Sequence, residues 1–394
     1  MAFRVGTLRT EGVPDNMKRL LIYASAAGLA GAVLSVSGLA TTAASAHSST
    51  VYVSPSGKAK AADWSCGTAA YSSIQAAVNA APLWGTVVVC PGTYKTSVTI
   101  GRTVNLHGRP GAVINAKGQP YGVGVAASWV TVSGLTVENA SSTANHAPAD
   151  GILTAGFIKG VPKAASHVTI TGNTVRNNKG SGIDLNSTSY SVASGNTATG
   201  NGVGINVSND VKLAASHNRI TGNVADDNPG GCGIVLADHS GSGVYDNVVS
   251  GNAANDNGLG TPSAPNASAG SGIILAAAGP KGGVYGNTVS GNSFSGNGHG
   301  GVTLHAHVKG LNFGGNAITG NWIGRNNVRT DSHDLKTTGI YLADASPLTI
   351  TVLGNTIDGN YYGIFTAGKV TVKVAKYNRY QNVTHPTGSY PTYP

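Results

Sequence analysis

A short phrase, a glycine followed by a branched aliphatic residue, returns eight times between residues 151 and 365. Self-similarity with a period of roughly 20–50 residues is typical of solenoids and propellers. The shortest interval between copies holds one turn of three strands of about five residues each, whereas a propeller needs a steady period of about 40 residues. The phrase therefore predicts a solenoid. Its aliphatic positions are Ile152, Ile183, Ile205, Ile234, Ile273, Val302, Ile340 and Ile364.

Alternation within each phrase indicates strands. Side chains on a strand point alternately to its two faces, so Ile183 and Leu185 are expected inside and Asp184 outside. Successive turns would lie about 4.8 Å apart. Asparagines that follow a glycine in the intervening phrases, such as Asn173 and Asn287, can stack their amides along the axis. We predict an all-β fold, a right-handed parallel β-helix.

The segment before the repeats predicts a short capping helix. In the run from residue 73 to 81, Ser73 can cap the helix, while Ile74, Ala77 and Val78 share one apolar face. A solenoid has to cover its exposed first turn, and a helix does this well. We expect a strand and this helix in residues 47–90, coils in residues 91–376, and a tail in residues 377–394 that covers the last coil.

The N-terminus is typical of a secretory signal. Lys18 and Arg19 precede an apolar stretch that ends in a small-residue cleavage pattern, Ala44-Ser45-Ala46. We predict cleavage after Ala46, so residues 1–46 are a signal peptide, with Met17 as an alternative start. A retained membrane anchor is the other interpretation, because the stretch is about long enough to span a bilayer. Export would permit a disulfide between Cys66 and Cys90.

The net charge of the chain indicates which kinds of partner it can bind. The formal net charge is +9, and it falls to +7 after cleavage because the signal holds four basic and two acidic residues. A secreted basic protein is suited to anionic polymers such as polyuronates. No basic run or nucleic-acid-binding motif is present, so we expect no nucleic acid. We expect a monomer that is extracellular and has no membrane contact after cleavage, although a modest positive charge is equally consistent with a role in solubility alone.

The start of the predicted β-helix resembles that of a known protein family. The runs 71–81, 85–89, 91–94 and 104–108 are similar to the capped start of right-handed β-helix proteins of the pectate-lyase-like superfamily, and the Gly-Asn phrases resemble their repeats. The resemblance covers most of the mature chain and implies the fold. Because this superfamily includes lyases, hydrolases, epimerases, fructotransferases, adhesins and accessory proteins, it does not imply one activity.

Stacking the phrases in register predicts where polar side chains collect. One column of outward residues contains Asp184, Asn206, Thr303 and Tyr341, and the next contains Asn186 and His305. Two clusters result. The first consists of Asp184, Asn186, Asn206, Asn209 and Asp210, and the second of Asp238, His239, His305, His307, Tyr341 and Asp344.

The second cluster is our first hypothesis for catalysis, a polysaccharide lyase. His305 and His307 face one side of a strand, where a neutral histidine could take the C5 proton of a uronate while Tyr341 protonates the leaving oxygen. Asp238, His239 and Asp344 complete this set. The loop from residue 321 to 338 would stand beside it, with Trp322 stacking on a sugar and Arg325 or Arg329 meeting a carboxylate. Asp184, Asn206 and Asp210 would bind substrate.

The alternative enzyme is a glycoside hydrolase. Inverting glycosidases need two carboxyl groups roughly 6.5–9.5 Å apart, and Asp184 and Asp210 lie on neighbouring turns. No cofactor is signalled, but calcium could use these two aspartates with backbone oxygens. His305, His307 and Asp344 or Asp238 could hold another divalent ion, although zinc sites usually have tighter ligand sets. A non-catalytic glycan- or wall-binding β-helix is the third hypothesis, in which the polar columns only solvate an outer face.

Overall fold

The computed structural model describes residues 49–57, 64–141, 148–154, 165–260, 269–279, 281–306, 308–329 and 336–392. The predicted signal peptide lies outside these residues. Successive turns of the chain contribute strands to three faces, and each strand pairs in parallel with its equivalent in an adjacent turn. Ile183 lies opposite Ile205, Ile205 opposite Ile234, and Ile234 opposite Ile273, all fully buried. The predicted parallel β-helix is therefore confirmed.

Face 1 carries the Gly-aliphatic phrases. We number strands along the chain from β1 to β33. Face 1 consists of Val98–Ile100 (β4), Tyr121–Val125 (β7), Asp150–Thr154 (β10), Ser181–Asn186 (β13), Val203–Ser208 (β16), Ile234–Asp238 (β19), Ile273–Ala277 (β22), Val302–Ala306 (β26), Thr338–Leu353 (β29), Tyr362–Lys373 (β31) and His385–Tyr390 (β33).

Face 2 follows the first corner, and the far end of β29 also belongs to it. Its strands are Thr50–Val53 (β1), Thr86–Val89 (β2), Asn105–Gly108 (β5), Thr131–Ser133 (β8), Thr169–Thr171 (β11), Val192–Ser194 (β14), Arg219–Thr221 (β18), Val248–Ser250 (β21), Thr288–Ser290 (β24) and Ala317–Thr319 (β27). Three short strands line the corner between faces 1 and 2, namely Ala215–Ser216 (β17), Val244–Tyr245 (β20) and Val284–Tyr285 (β23).

Face 3 closes each turn. Its strands are Gly92–Lys95 (β3), Ala112–Asn115 (β6), Thr136–Glu138 (β9), Thr174–Arg176 (β12), Thr197–Thr199 (β15), Ser293–Phe294 (β25), Trp322–Ile323 (β28), Thr356–Asp358 (β30) and Arg379–Gln381 (β32). Isolated bridges at Val224 and Ala253 connect its two parts.

Buried asparagine ladders run along the corners. Asn223 Nδ2 donates to Asn252 Oδ1 in the next turn (2.9 Å) and to the Ala193 carbonyl in the previous turn (2.8 Å). The backbone N–H of Asn223 donates to the same Oδ1 (2.9 Å), so each amide satisfies backbone groups that bend away from the sheets. The longest ladder consists of Asn173, Asn196, Asn223, Asn252, Asn292, Asn321, Asn355 and Asn378.

The glycine of each phrase is required by close packing at one of these corners. A Cβ on Gly182 would lie 2.8 Å from the Gly204 carbonyl oxygen and 2.8 Å from Asn201 Nδ2. Both atoms belong to the next turn, so a larger residue would push adjacent coils apart.

The N-terminal end is closed by a helix. Helix α1 comprises Ile74–Ala80, and the Ser73 hydroxyl accepts a hydrogen bond from the N–H of Ala76 (3.3 Å). Its buried residues are those expected, Ile74, Ala77 and Val78. A disulfide joins Cys66, in a 3-10 turn over Cys66–Thr68, to Cys90. Within the described residues, no helix combines the length and apolar character that crossing a membrane requires.

The C-terminal tail does not simply fold over the last coil. After a 3-10 turn at Ala375–Tyr377, β32 pairs in parallel with β30, and β33 pairs in parallel with β31. The coils therefore continue to Tyr390, beyond the expected boundary at residue 376. The tail was hard to assign because β33 is mostly exposed and lacks the apolar alternation of the other face 1 strands.

Candidate active site

The outer side of face 1 brings distant polar residues together. Asp184 on β13 lies opposite Asn206 on β16, and Asn186 lies opposite Ser208. Both columns have the predicted register. Asp210 follows β16, where the chain leaves face 1, and is close enough to bond with Asn186 and Ser208.

Asp184 is a carboxyl group held within a hydrogen-bond network. It is 4% exposed. Asn206 Nδ2 lies 3.2 Å from its Oδ1, Ser208 Oγ lies 3.3 Å from the same oxygen, and Asn186 Nδ2 donates to its Oδ2 at 3.4 Å. Burial, followed by the nearby charge of Asp210, raises the pKa of Asp184 to about 7.

Asp210 shares two of these partners. Its Oδ2 accepts from Asn186 Nδ2 and from Ser208 Oγ (3.0 Å). Because two hydrogen bonds of about 3 Å meet at the amide nitrogen of Asn186, the carboxyl groups of Asp184 and Asp210 are no more than about 6 Å apart. The Ser208 hydroxyl has one hydrogen, so it can donate to Asp210 while accepting the proton of a neutral Asp184.

His239 joins this cluster from the next turn. Its Nδ1 lies 2.7 Å from Asp210 Oδ1. Burial favours the neutral form of Asp210, but the hydrogen bond and charge of His239, with the bonds from Asn186 and Ser208, outweigh it and lower the pKa of Asp210. The hydrogen bond to Asp210 in turn raises the pKa of His239, against an opposing effect of burial. The two neighbouring carboxyl groups therefore have pKa values shifted in opposite directions.

Asp150 adds a third carboxyl group. It is 3% exposed, and its Oδ1 accepts from the N–H of Ser181 (2.6 Å). Burial, followed by the charge of Asp184, raises its pKa well above the usual value. Asp150, Asp184, Asn206, Asp210 and Lys179 line an open cleft of 480 Å³.

The side chains that the lyase hypothesis grouped together are in different environments. Asp238 is completely buried: Asn209 Nδ2 (2.7 Å) and the N–H groups of Gly241 (2.8 Å) and Gly283 (2.6 Å) all donate to its carboxylate. These contacts hold a turn and leave the carboxylate no access to a substrate. His239 belongs with Asp184 and Asp210 instead of with the second cluster.

His305, Tyr341 and Asp344 lie on the adjacent strands β26 and β29. The ring of Tyr341 is 6% exposed, between His299 in an edge-on contact and Phe365 in a stacked one. Asp344 is 2% exposed and accepts from the N–H of Ser346 (2.7 Å), and burial raises its pKa. Of these three side chains only His305 is half-exposed, while His307 lies outside the described residues.

The predicted sugar-binding loop begins on another face, and its residues 330–335 lie outside the described residues. Trp322 belongs to β28 on face 3, where it pairs with Ser293 and Thr356. Arg325 follows on the same face, and Arg329 Nη1 approaches the Gly258 carbonyl (3.4 Å). Sequence reasoning treated residues 321–338 as one projecting loop, but its first part is a strand because Asn321 and Asn326 extend two of the asparagine ladders.

Among the described residues, no three or more His, Cys, Asp and Glu side chains are grouped so that they could hold a metal ion. The oxygens of Asp184 and Asp210 that the calcium hypothesis invokes face hydrogen-bond donors from Asn186, Ser208 and His239. A cation would have to displace these donors, so the arrangement fits a proton-transfer site better than a calcium site.

Two features of the cluster have a signal in the sequence. Asp210 and His239 each lie five residues after the inward aliphatic of their turn, Ile205 and Ile234, so strict counting places them opposite each other. Asp150 is the acidic residue directly before Gly151, a position that other phrases fill with uncharged residues such as Ser181.

Comparison with known proteins supports the fold. A family model described as "Right handed beta helix region" matches residues 121–318 and 270–378. A search of curated proteins finds no match. Similar solved structures include the following three, which at these identities establish the fold alone.

The first is an alginate lyase from Paenibacillus sp. str. FPU-7, with 14% identity and a TM-score of 0.50, covering 82% of this chain and 96% of the other. The second is the Agl-KA catalytic domain, with 16% identity and a TM-score of 0.56, covering 87% and 68%. The third is PfbA, a surface adhesin of Streptococcus pneumoniae, with 14% identity and a TM-score of 0.50, covering 80% and 88%.

Proposed function

Because the chain belongs to the right-handed β-helix family, whose fold serves a lyase and an adhesin alike, we propose its function from the site: it is a secreted enzyme that hydrolyses glycosidic bonds in a polysaccharide. The observation that carries this proposal is the pair Asp184 and Asp210. They share Asn186 and Ser208, and their pKa values are shifted in opposite directions. Two carboxyl groups with separated pKa values are the usual acid and base of glycoside hydrolysis.

In this proposal Asp184 is the proton donor. Its raised pKa keeps a large fraction protonated near neutral pH, so it can protonate the oxygen of the leaving sugar. Asp210 stays ionised and stabilises the positive charge that develops on the sugar ring while water or its own oxygen attacks. His239 and Asn186 hold Asp210 in place.

The cleft favours an uncharged sugar at the cleavage point. Three carboxyl groups line it, and among the described lining residues Lys179 is the cation. A uronate carboxylate would be placed against the ionised Asp210, which costs free energy through like-charge repulsion. We therefore propose a neutral polysaccharide as substrate, instead of the anionic polymer that the net charge of the chain suggests.

A lyase is the second candidate, because His239 and Asp210 form a pair resembling a general base and its orienting carboxylate. In β-elimination His239 would remove the sugar C5 proton and Asp184 would protonate the leaving oxygen. The raised pKa of His239 opposes this role, because the protonated imidazole cannot act as a base.

The test is an activity screen of the mature protein on neutral and anionic polysaccharides. New reducing ends without ultraviolet absorbance indicate hydrolysis, and unsaturated products indicate the lyase. We expect Asp184→Asn and Asp210→Asn each to lower kcat at least about 100-fold, while Asp358→Asn on face 3 retains activity. Wild-type activity should fall as the pH rises above about 7, because Asp184 then loses its proton.

Two results would contradict the hydrolase. One is full activity in Asp184→Asn. The other is retention on an insoluble glycan with no product across the whole panel, which would favour the non-catalytic binding hypothesis. A separation of no more than about 6 Å fits the retaining geometry better than the inverting one, so we expect retention, and proton NMR of the first product reports whether the anomeric configuration is retained or inverted.

Secretion is part of the proposal. The disulfide between Cys66 and Cys90 supports an oxidising compartment, where such bonds persist. Expression of the full chain in a secreting bacterial host should release a protein whose mass corresponds to a start at His47. A cell-associated product that retains residues 1–46 would contradict cleavage and favour the anchor.

A further inference from the structure

A ladder of aromatic rings follows the corner before face 2, away from the cleft on face 1. His167 stacks on Trp129 at a centroid distance of 3.9 Å, and Tyr190 stacks on His167 at 5.6 Å. His217 then stacks on Tyr190 at 4.7 Å. The ladder continues through Tyr245 and Tyr285, and Trp84 lies at its N-terminal end.

The residues that carry these rings combine an unfavourable backbone conformation with, in several cases, an exposed side chain. The φ angles of Trp84, Trp129, His167, Tyr190 and His217 lie between 55° and 64°, a left-handed conformation that bulky residues rarely adopt. Trp84 is 65% exposed, Trp129 52% and Tyr190 55%. Large exposed aromatic rings held in a strained conformation are a reason to look for a ligand.

The ladder is interrupted at one turn. Asn105 lies opposite both Thr86 and Thr131, so Thr103 occupies the rung between Trp84 and Trp129. The N–H of Trp84 donates to the Thr103 carbonyl (2.8 Å). With no ring on this rung, the indoles of Trp84 and Trp129 lean towards each other at 6.5 Å and 51° instead of stacking. A wedge opens between two indole faces.

The wedge opens onto a cavity of 410 Å³ with polar walls on face 2. It is lined by Trp84 and Trp129, by the outward side chains Asn105, Thr131 and Thr169, and by His167 and Tyr190. None of these residues is an aspartate, glutamate, lysine or arginine. Indole faces next to an amide and hydroxyl groups match a sugar ring, which has apolar C–H faces and hydroxyl edges.

We propose that this wedge is a second carbohydrate-binding site, which holds one sugar unit of an uncharged polysaccharide against Trp84 and Trp129 while Asn105 and Thr131 bond its hydroxyl groups. The lining of the wedge favours a neutral glycan over an anionic one, because it contains no lysine or arginine that could pair with a uronate. The site would attach the protein to its polymer independently of the face 1 cleft.

The test measures binding with the catalytically impaired Asp210→Asn protein, so that turnover does not interfere. Cellohexaose, xylohexaose, laminarihexaose and oligogalacturonate are the probes, followed by tryptophan fluorescence and calorimetry. We expect at least one neutral oligosaccharide to bind and to shift the indole emission. Trp84→Ala and Trp129→Ala should each weaken that binding about tenfold or more, and Thr103→Phe, which fills the missing rung, should abolish it.

Trp64→Ala is the matched control, because Trp64 is an exposed tryptophan that does not line the wedge, and its loss should leave the affinity unchanged. The melting temperature of each variant checks that it folds. Absence of binding to every neutral probe overturns the proposal, as do preferential binding of oligogalacturonate and an affinity unaffected by Trp84→Ala and Trp129→Ala. If the protein proves not to be a hydrolase, the binding result still stands, since binding is measured without turnover.

Discussion

Asp184 and Asp238 are both buried aspartates of face 1, but their neighbours give them different properties. Asp238 is surrounded by donors, three of them at 2.6–2.8 Å, whereas Asp184 shares its donors with a second carboxylate. The second arrangement favours keeping one proton on Asp184, whose pKa is raised. A side chain of the same type can therefore hold a turn or exchange a proton, depending on what its neighbours donate.

A pH-dependent stability follows for Asp184. Its pKa is about 7 in the folded protein, raised from an ordinary value of 3.8. The folded state thus binds more protons between these values, and its stability is fully present below about pH 4 and lost as the pH rises through about 7. Asp184→Asn should remove this dependence, so urea denaturation at pH 5 and pH 8 should give the wild type a loss roughly 2 kcal/mol larger than the variant's. Equal losses in both proteins would contradict the raised pKa.

Asp238→Ala should destabilise the protein. Three donors, Asn209 Nδ2 and the N–H groups of Gly241 and Gly283, would lose their acceptor inside the fold. We expect a loss of about 3 kcal/mol in the free energy of unfolding, measured by urea denaturation. Asp358→Ala, at a half-buried position whose carboxylate accepts from Asn382 Nδ2 at the surface, is the control. A variant that keeps full stability but loses activity would place Asp238 back among the catalytic residues.

At the scale of the element, the asparagine ladders define the corners. Asn223 takes part in hydrogen bonds with the turns on both sides, so truncation affects two coil interfaces at once. Asn223→Ala should lower the free energy of unfolding by about 3 kcal/mol. Asn105→Ala, on the outer side of face 2, should cost less than about 1 kcal/mol. Similar losses in the two variants, by urea denaturation, would show that the ladder adds nothing beyond ordinary packing.

At the scale of the whole molecule, each coil pairs its strands with those of the adjacent coils, so stability is close to a sum of coil and interface contributions. The disulfide at the N-terminal end closes a sequence separation of 24 residues. Cys66→Ser should destabilise the segment around α1 by about 3 kcal/mol, visible as faster hydrogen exchange in residues 66–90. Exchange in the central strands β13 and β16 should not change, and a uniform increase along the chain would contradict local stability.

The sequence by itself determined the fold, because the Gly-aliphatic phrase, the period-2 alternation and the asparagines are local signals that repeat in every turn. It also determined the register of Asp184 with Asn206 and of Asn186 with Ser208, which follows from counting along stacked strands. Only the tertiary structure decided how side chains beyond the strands meet. Corner geometry differs from turn to turn, and it encloses Asp238 and places Trp322 on another face. Burial and pKa depend on such contacts between turns, which no single stretch of the sequence contains.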